Sequence, residues 1–303
     1  MTLNSPELLQ LKENIFEENN IEVFLYRLET IHENLGGNKY FKLKYNLEEA
    51  KKQQKNTILT FGGAYSNHIF ATASAGNIFG FKTIGIIRGE ETLPLNPTLT
   101  HAKEQGMNIV YCDRTSFKTL KLPSSSEYWQ QKMGENIYLL PEGGANIWAV
   151  KGCAEIMNHC SIKPDFVCLP CGTGGTLAGV IVGNNDAKII GFPVLKGGDF
   201  IENDCISLIK DYFSYFDIAQ KKTNFELQTN YHFGGYAKTN VILKTFMTQF
   251  YEKYNIVLDE VYTAKCIFGV YDLATKKYFP PKTKILIINT QRNLLPVYQF
   301  PKK

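Results

Sequence analysis

Near-continuous apolar runs of four or five residues recur along the chain at 57–61, 83–87, 108–112, 137–140, 166–169, 188–192 and 284–288. A strand with one face in water alternates apolar and polar residues. A run without a polar face predicts a strand of a parallel sheet, covered by helices on both sides. Helical stretches at 66–79, 98–105, 149–160, 201–216 and 239–254 separate these runs. Strand and helix in alternation define an α/β fold with parallel sheets. The length of 303 residues leaves room for one large core or two moderate domains.

Several of the runs exit through glycine: Phe61-Gly62-Gly63, Arg88-Gly89, Pro141-Glu142-Gly143-Gly144 and Pro170-Cys171-Gly172. Ligands of open α/β sheets bind beyond the carboxyl ends of strands, so these exits are candidate binding loops; plain tight turns use the same glycines. The net charge of +4 is spread without a basic stripe, which argues against a nucleic-acid partner. The seven cysteines are odd in number and irregularly spaced, a pattern that suits a reducing compartment rather than a disulfide framework. Met1-Thr2-Leu3-Asn4-Ser5-Pro6 is no basic leader into an apolar run, and no stretch nears the ~20 apolar residues of a membrane span. A soluble cytoplasmic protein with no membrane partner is expected.

Three segments carry chemistry. Cys171-Gly172-Thr173-Gly174-Gly175-Thr176-Leu177-Ala178-Gly179 follows the run at 166–169 and leads into a small-residue helix. Its glycines let successive N–H groups converge at a helix N-terminus, a site for a phosphate dianion, with Thr173 and Thr176 as hydroxyl donors. A structural turn is the alternative. Cys168 and Cys171 form a CxxC, but Cys168 lies within an apolar strand and no second pair completes a zinc site. In Gly36-Gly37-Asn38-Lys39-Tyr40-Phe41-Lys42, a lysine follows a flexible turn at a helix start. The partial positive field there lowers an ammonium pKa toward the nucleophilic amine that Schiff-base formation needs. A solvated helix face carrying Lys39, Lys42 and Lys44 is the alternative, and the local pattern alone favours it. In Thr60-Phe61-Gly62-Gly63-Ala64-Tyr65-Ser66-Asn67-His68, Ser66 is a candidate N-cap. Ser66, Asn67 and His68 together offer hydroxyl, amide and imidazole to a carboxylate. Simple capping with His68 as a surface donor is the alternative.

These segments, in this order, resemble the fold-type II pyridoxal-phosphate enzymes of the 1-aminocyclopropane-1-carboxylate deaminase and D-cysteine desulfhydrase family. That family carries GNKxRKLxY, GGxxSN(H/Q) and TG(G/S)T segments, which here read Gly37–Tyr45, Gly62–His68 and Thr173–Thr176. Similar blocks at 141–146, 191–198, 232–236 and 261–263 extend the likeness over about residues 26 to 290. The resemblance implies two open twisted, mostly parallel sheets with helices on both faces, the tryptophan synthase β-like architecture. It implies a large cofactor domain of residues 1–43 and 148–303 and a small domain of 44–147. It also implies pyridoxal 5'-phosphate as cofactor, a small amino acid as substrate, and a homodimer. Lys39 would hold the cofactor as a Schiff base, and Asn67 would contact its phenolic oxygen. Gly172, Thr173, Gly174, Gly175 and Thr176 would bind the phosphate with Lys42. Ser66, Asn67 and His68 would face the substrate, Ser66 with a catalytic part, and Tyr236 and Tyr262 would serve as acid-base groups.

Two positions bear on the reaction. Deaminases of the family carry Glu after Val-Tyr, beside the pyridine nitrogen, and Leu in HLGG at the last strand's end; desulfhydrases carry a hydroxyl residue and HTGG. Here the residues are Thr263 and Thr290, both counted among the cofactor contacts. A carboxylate keeps the ring a strong electron sink, and a hydroxyl does so less well. D-cysteine desulfhydrase-like β-elimination, releasing sulfide, pyruvate and ammonia, is therefore expected over deamination of 1-aminocyclopropane-1-carboxylate. Asn289-Thr290-Gln291-Arg292 departs from HTGG, placing bulk and a cation near the ring nitrogen or turning both side chains outward. That departure also admits a catalytically weak cofactor-binding homologue. Phe41 stands where the family has Arg.

Overall fold

The computed structural model describes residues 3–184, 186–220 and 223–293. Ten strands alternate with helices: β1 (Glu7–Leu11), β2 (Glu22–Arg27), β3 (Thr57–Gly63), β4 (Lys82–Arg88), β5 (Asn108–Cys112), β6 (Ile137–Leu140), β7 (Phe166–Cys171), β8 (Lys188–Pro193), β9 (Phe225–Leu227) and β10 (Lys284–Asn289). They form two sheets, ordered β1-β2-β10-β7-β8-β9 and β5-β4-β3-β6. The four-stranded sheet is parallel throughout, and the six-stranded one is parallel except for β1 against β2.

Each apolar run forms a strand, and β3, β4 and β7 continue past the run into residues that line the site. The unpredicted strands are β1, β2 and β9. β1 is a partly exposed antiparallel edge and β9 has three residues, so neither displays a continuous apolar run. The stretch 149–160 is helical only over Ile147–Cys153 and then breaks into turns. The Thr263–Thr275 helix was not anticipated, although Ala264, Ile267 and Val270 line its buried face.

Both faces of the larger sheet are covered. Val23, Leu25, Cys168, Ile190, Ile285 and Ile287 pack with the Val241–Tyr254 and Thr263–Thr275 helices. Tyr26, Val167, Leu169, Ile189, Leu286 and Ile288 pack with Ile147–Cys153, Gly175–Gly183 and Phe200–Tyr215. Each fully buried aliphatic side chain contributes ~1.5–3 kcal/mol.

Close helix packing brings separate parts of the site together. A Cβ on Gly152 would stand 1.8 Å from the Phe41 carbonyl oxygen, and one on Gly179 would stand 2.2 Å from Cys153 Cβ. The Asn38–Lys52 and Gly175–Gly183 helices thus both pack against Ile147–Cys153 at backbone range. Among the described residues no helix is long and apolar enough to cross a membrane.

Candidate active site

A cavity of about 440 Å³ opens where the carboxyl ends of both sheets meet. Gly63 and Arg88 reach it from the ends of β3 and β4, Pro170 and Cys171 from β7, and Thr290 from just beyond β10. Strand ends are where an α/β sheet exposes main-chain groups to a ligand.

Beyond β7 the chain turns through Gly172, Thr173 and Gly174, the last at φ +73°, into the Gly175–Gly183 helix. Only glycine adopts that φ without steric cost. A Cβ on Gly175 would lie 3.2 Å from Lys42 Nζ, filling the space between loop and ammonium. Lys42 is buried, donates to the Gly143 carbonyl at 2.5 Å, and lies 3.4 Å from Thr173 Oγ1. Burial lowers its pKa to about 8. Free amides at a helix N-terminus beside a buried cation constitute an anion site.

Lys39 is the second residue of the Asn38–Lys52 helix. Its Nζ donates to Asn38 Oδ1 at 2.8 Å, and Asn38 Nδ2 donates to Thr176 Oγ1 at 2.8 Å. One amide thereby ties the amine to the anion loop. The Lys39 pKa falls to about 7, through desolvation first and the Lys42 charge second. Its side chain is partly uncovered because it opens onto the cavity, yet it lies deep enough for burial to dominate. Gly37, at φ +80°, sets this lysine against β10: a Cβ there would stand 2.1 Å from the Gln291 carbonyl oxygen. Asn38 N donates to the Thr290 carbonyl at 3.2 Å. Gly37 and Asn38 lie inside the motif, but the motif reading gave neither a role at the site. The glycine pair that ends two residues before the lysine was the signal for them.

The opposite wall is the start of the Asn67–Phe79 helix. Ser66 caps it, its Oγ accepting from His68 N and Ile69 N and leaving the hydroxyl proton to donate elsewhere. His68 is 2% exposed, so it is no surface donor. Thr60 Oγ1 gives its only proton to the Leu140 carbonyl at 2.9 Å, so its 2.8 Å contact with His68 Nε2 must be an N–H donated by the imidazole. His68 Nδ1 then carries a lone pair, buried and without a hydrogen-bond partner among the described residues. Desolvation, then the Lys39 and Lys42 charges, hold this imidazole well below its usual pKa, hence neutral. A lone pair does not suit a carboxylate; it suits a donor.

Tyr236 and Tyr262 line the same cavity with their rings edge to face at 6.0 Å. Burial first, and Tyr236 second, push the Tyr262 phenol well up, so it stays protonated. Asp259 caps the turn before the Thr263–Thr275 helix, its carboxylate accepting from Val261, Tyr262 and Thr263 N at 2.6–3.1 Å. Lys265, one turn on, is buried and donates to the His232 and Gly235 carbonyls, anchoring the loop that carries Tyr236.

The two threonines separate. Thr290 lines the cavity, whereas Thr263 is wholly buried and its hydroxyl donates to Asn289 Oδ1 at 3.1 Å. Gln291 and Arg292 turn to other tasks. The Gln291 side chain accepts from Asp259 N at 2.9 Å and donates to the Val257 carbonyl at 2.6 Å. Arg292 donates from Nε to Asn67 Oδ1 at 3.2 Å, with its guanidinium 4.1 Å above the Phe70 ring. Burial raises the thiol pKa of both Cys168 and Cys171, which leaves neither as a thiolate.

Lys39, Lys42, Ser66, Asn67, His68, Gly172 to Thr176, Tyr236, Tyr262 and Thr290 thus border one space, with Thr263 behind it. The donor set suits a phosphorylated aromatic aldehyde. A near-neutral amine faces the cavity, and the absence of a Cβ on Gly175 leaves room between the anion loop and Lys42.

Comparison with known proteins agrees. A Pyrococcus horikoshii protein provisionally named 1-aminocyclopropane-1-carboxylate deaminase is 31% identical over 291 residues, covering 93% of this chain and 88% of that one. The mitochondrial bifunctional D-cysteine desulfhydrase/1-aminocyclopropane-1-carboxylate deaminase of Arabidopsis thaliana is 27% identical over 300 residues, 90% and 72% of the two chains. A crystal structure of an ACC deaminase homologue superposes with a TM-score of 0.82 at 28% identity, covering 94% of this chain and 89% of that one. The family described as pyridoxal-phosphate dependent enzyme matches residues 6–291, and to that family this chain belongs.

Proposed function

We propose that this pyridoxal-phosphate lyase eliminates a β-substituent from a small D-amino acid, with D-cysteine giving sulfide, pyruvate and ammonia. The observation that carries the reading is a pair of hydroxyl residues, Thr290 just beyond β10 and Thr263 at the start of the Thr263–Thr275 helix. Thr290 borders the cavity, and Thr263, at the position where the resemblance puts the deaminases' Glu, lies behind it with its hydroxyl bonded to Asn289, so neither supplies a carboxylate to a ring nitrogen. The coenzyme, when bound, supplies an electron sink for charge developing at Cα.

The chain's own groups divide the remaining work. Lys39 Nζ, kept near its neutral form, binds the coenzyme and takes the Cα proton. The amides of Gly172 to Thr176 and the Lys42 ammonium hold the phosphate. Asn67 contacts the phenolic oxygen. Ser66 Oγ–H is free to donate to the substrate carboxylate, and the His68 Nδ1 lone pair to receive the substrate ammonium. Tyr262, protonated, donates to the departing group with Tyr236 beside it. The small domain of 44–147 closes on the large one of 1–43 and 148–303, and the enzyme works as a cytoplasmic homodimer.

The test is the visible spectrum of purified protein before and after D-cysteine, with sulfide and pyruvate assayed together. A changed band with both products supports the reading. An unperturbed band, or 2-oxobutyrate from 1-aminocyclopropane-1-carboxylate in place of sulfide, refutes it. The second of these results would instead establish the deaminase activity that the relatives' names carry.

A further inference from the structure

Arg292 stands where the resembling family's HTGG has its second glycine, and its side chain reaches from just beyond β10 to the Asn67–Phe79 helix against the other sheet. A guanidinium has only donors. Its contact with Asn67 at 3.2 Å must therefore engage the amide oxygen, which settles an orientation that an amide alone leaves open. With Oδ1 turned to Arg292, the Asn67 Nδ2 donors remain for the cavity that Asn67 lines. The guanidinium is itself held, its plane centre 4.1 Å above the Phe70 ring. Phe70 in turn stacks on His101 at 3.6 Å and 8°, and His101 Nε2 meets Ser74 Oγ at 2.7 Å. Burial, then the Arg292 charge, lowers the His101 pKa, so a neutral ring completes the stack.

The geometry points to Arg292 as a positioning residue that locks the Asn67 amide with its N–H groups toward the coenzyme's phenolic oxygen. This rests on the reading of Asn67 as a coenzyme contact. A donor aimed at an anionic oxygen competes with a proton there, so losing it raises the pH at which the coenzyme protonates.

The experiment is a pH titration of the visible absorption band in four holoenzymes: wild type, Arg292→Leu, Asn67→Ala and the double variant. One hydrogen bond to a charged group corresponds to a shift of about 1–2 pH units, expected upward for Asn67→Ala. Arg292→Leu should shift the midpoint upward by roughly half that in the wild-type background, and not at all in the Asn67→Ala background. An equal shift in both backgrounds means that Arg292 acts by its charge alone and overturns the inference, as does no shift in either. Asn67→Ala leaving the midpoint in place overturns both this inference and the reading beneath it. Should Arg292→Leu fail to fold, Phe70→Leu removes the guanidinium's support and must give a smaller upward shift, again only where Asn67 is present.

Discussion

At the glycine-loop end of the cavity, the lining is the turn of residues 172–176 at a helix N-terminus and one buried ammonium. At the far end, around the end of β10, side chains are fixed by partners distant in sequence: Gln291 by the Asp259 amide and the Val257 carbonyl, Asn67 by the Arg292 side chain and, behind the cavity, Thr263 by the Asn289 side chain. The first end depends on the absence of Cβ atoms, which tolerates little variation. The second depends on pairings that a different set of residues can satisfy. A chain can therefore keep the loop and lysine of its relatives while rebuilding the strand end, and here the side chains that replace both glycines find long-range partners.

The contrast predicts that perturbing the two ends has different consequences. Lys42→Met removes the cation behind the anion loop. Charge-assisted hydrogen bonds contribute about 1.5–3 kcal/mol, so coenzyme affinity should fall roughly 10- to 150-fold, measured by equilibrium titration of coenzyme-free protein. An affinity within about threefold of wild type would mean that the amides alone hold the phosphate.

Gln291→Gly should do the reverse. It strips the Asp259 amide and Val257 carbonyl of their partner and leaves a void at a position 3% exposed. Stability should drop by about 1–2 kcal/mol, read from denaturant midpoints, with coenzyme affinity nearly unchanged. Equal losses in both measurements would merge the two ends into one cooperative unit and erase the distinction.

The same contrast explains what could be read in the sequence. The loop at 171–176 and the strands that aim it are visible because glycine and continuous apolar runs have local causes, whereas Lys39 stands out only through the resemblance of its segment, since its local pattern also fits a solvated helix face. The burial of His68 was not visible, since it depends on Thr60 meeting Leu140 across the neighbouring strand β6. Nor was the fate of Gln291 and Arg292, whose partners lie 32–34 and 225 positions away in sequence. Both were candidates for crowding the ring nitrogen; long-range hydrogen bonds direct them elsewhere. The division of the two threonines has the same origin, because Asn289, which captures the Thr263 hydroxyl, belongs to a strand 26 residues later. Composition conveys none of this.

The smallest effect concerns protons and joins the two ends through Lys39. Its pKa lies near 7 in the fold, from burial and from Lys42, well below the ordinary lysine value that holds in the unfolded chain. Between those two values the unfolded chain binds the extra proton, so the coenzyme-free protein should gain stability as pH rises from 7. Lys42 and Lys265, lowered to about 8, contribute with the same sign from a slightly higher pH. Lys39→Met removes one of these three terms, and the slope between pH 7 and 8 should flatten by about 1 kcal/mol per unit relative to wild type. Urea midpoints at several pH values measure this directly. If the two slopes coincide, the amine is not desolvated in the empty cavity, and its readiness to react must come from the coenzyme rather than from the helix and the lysine behind it.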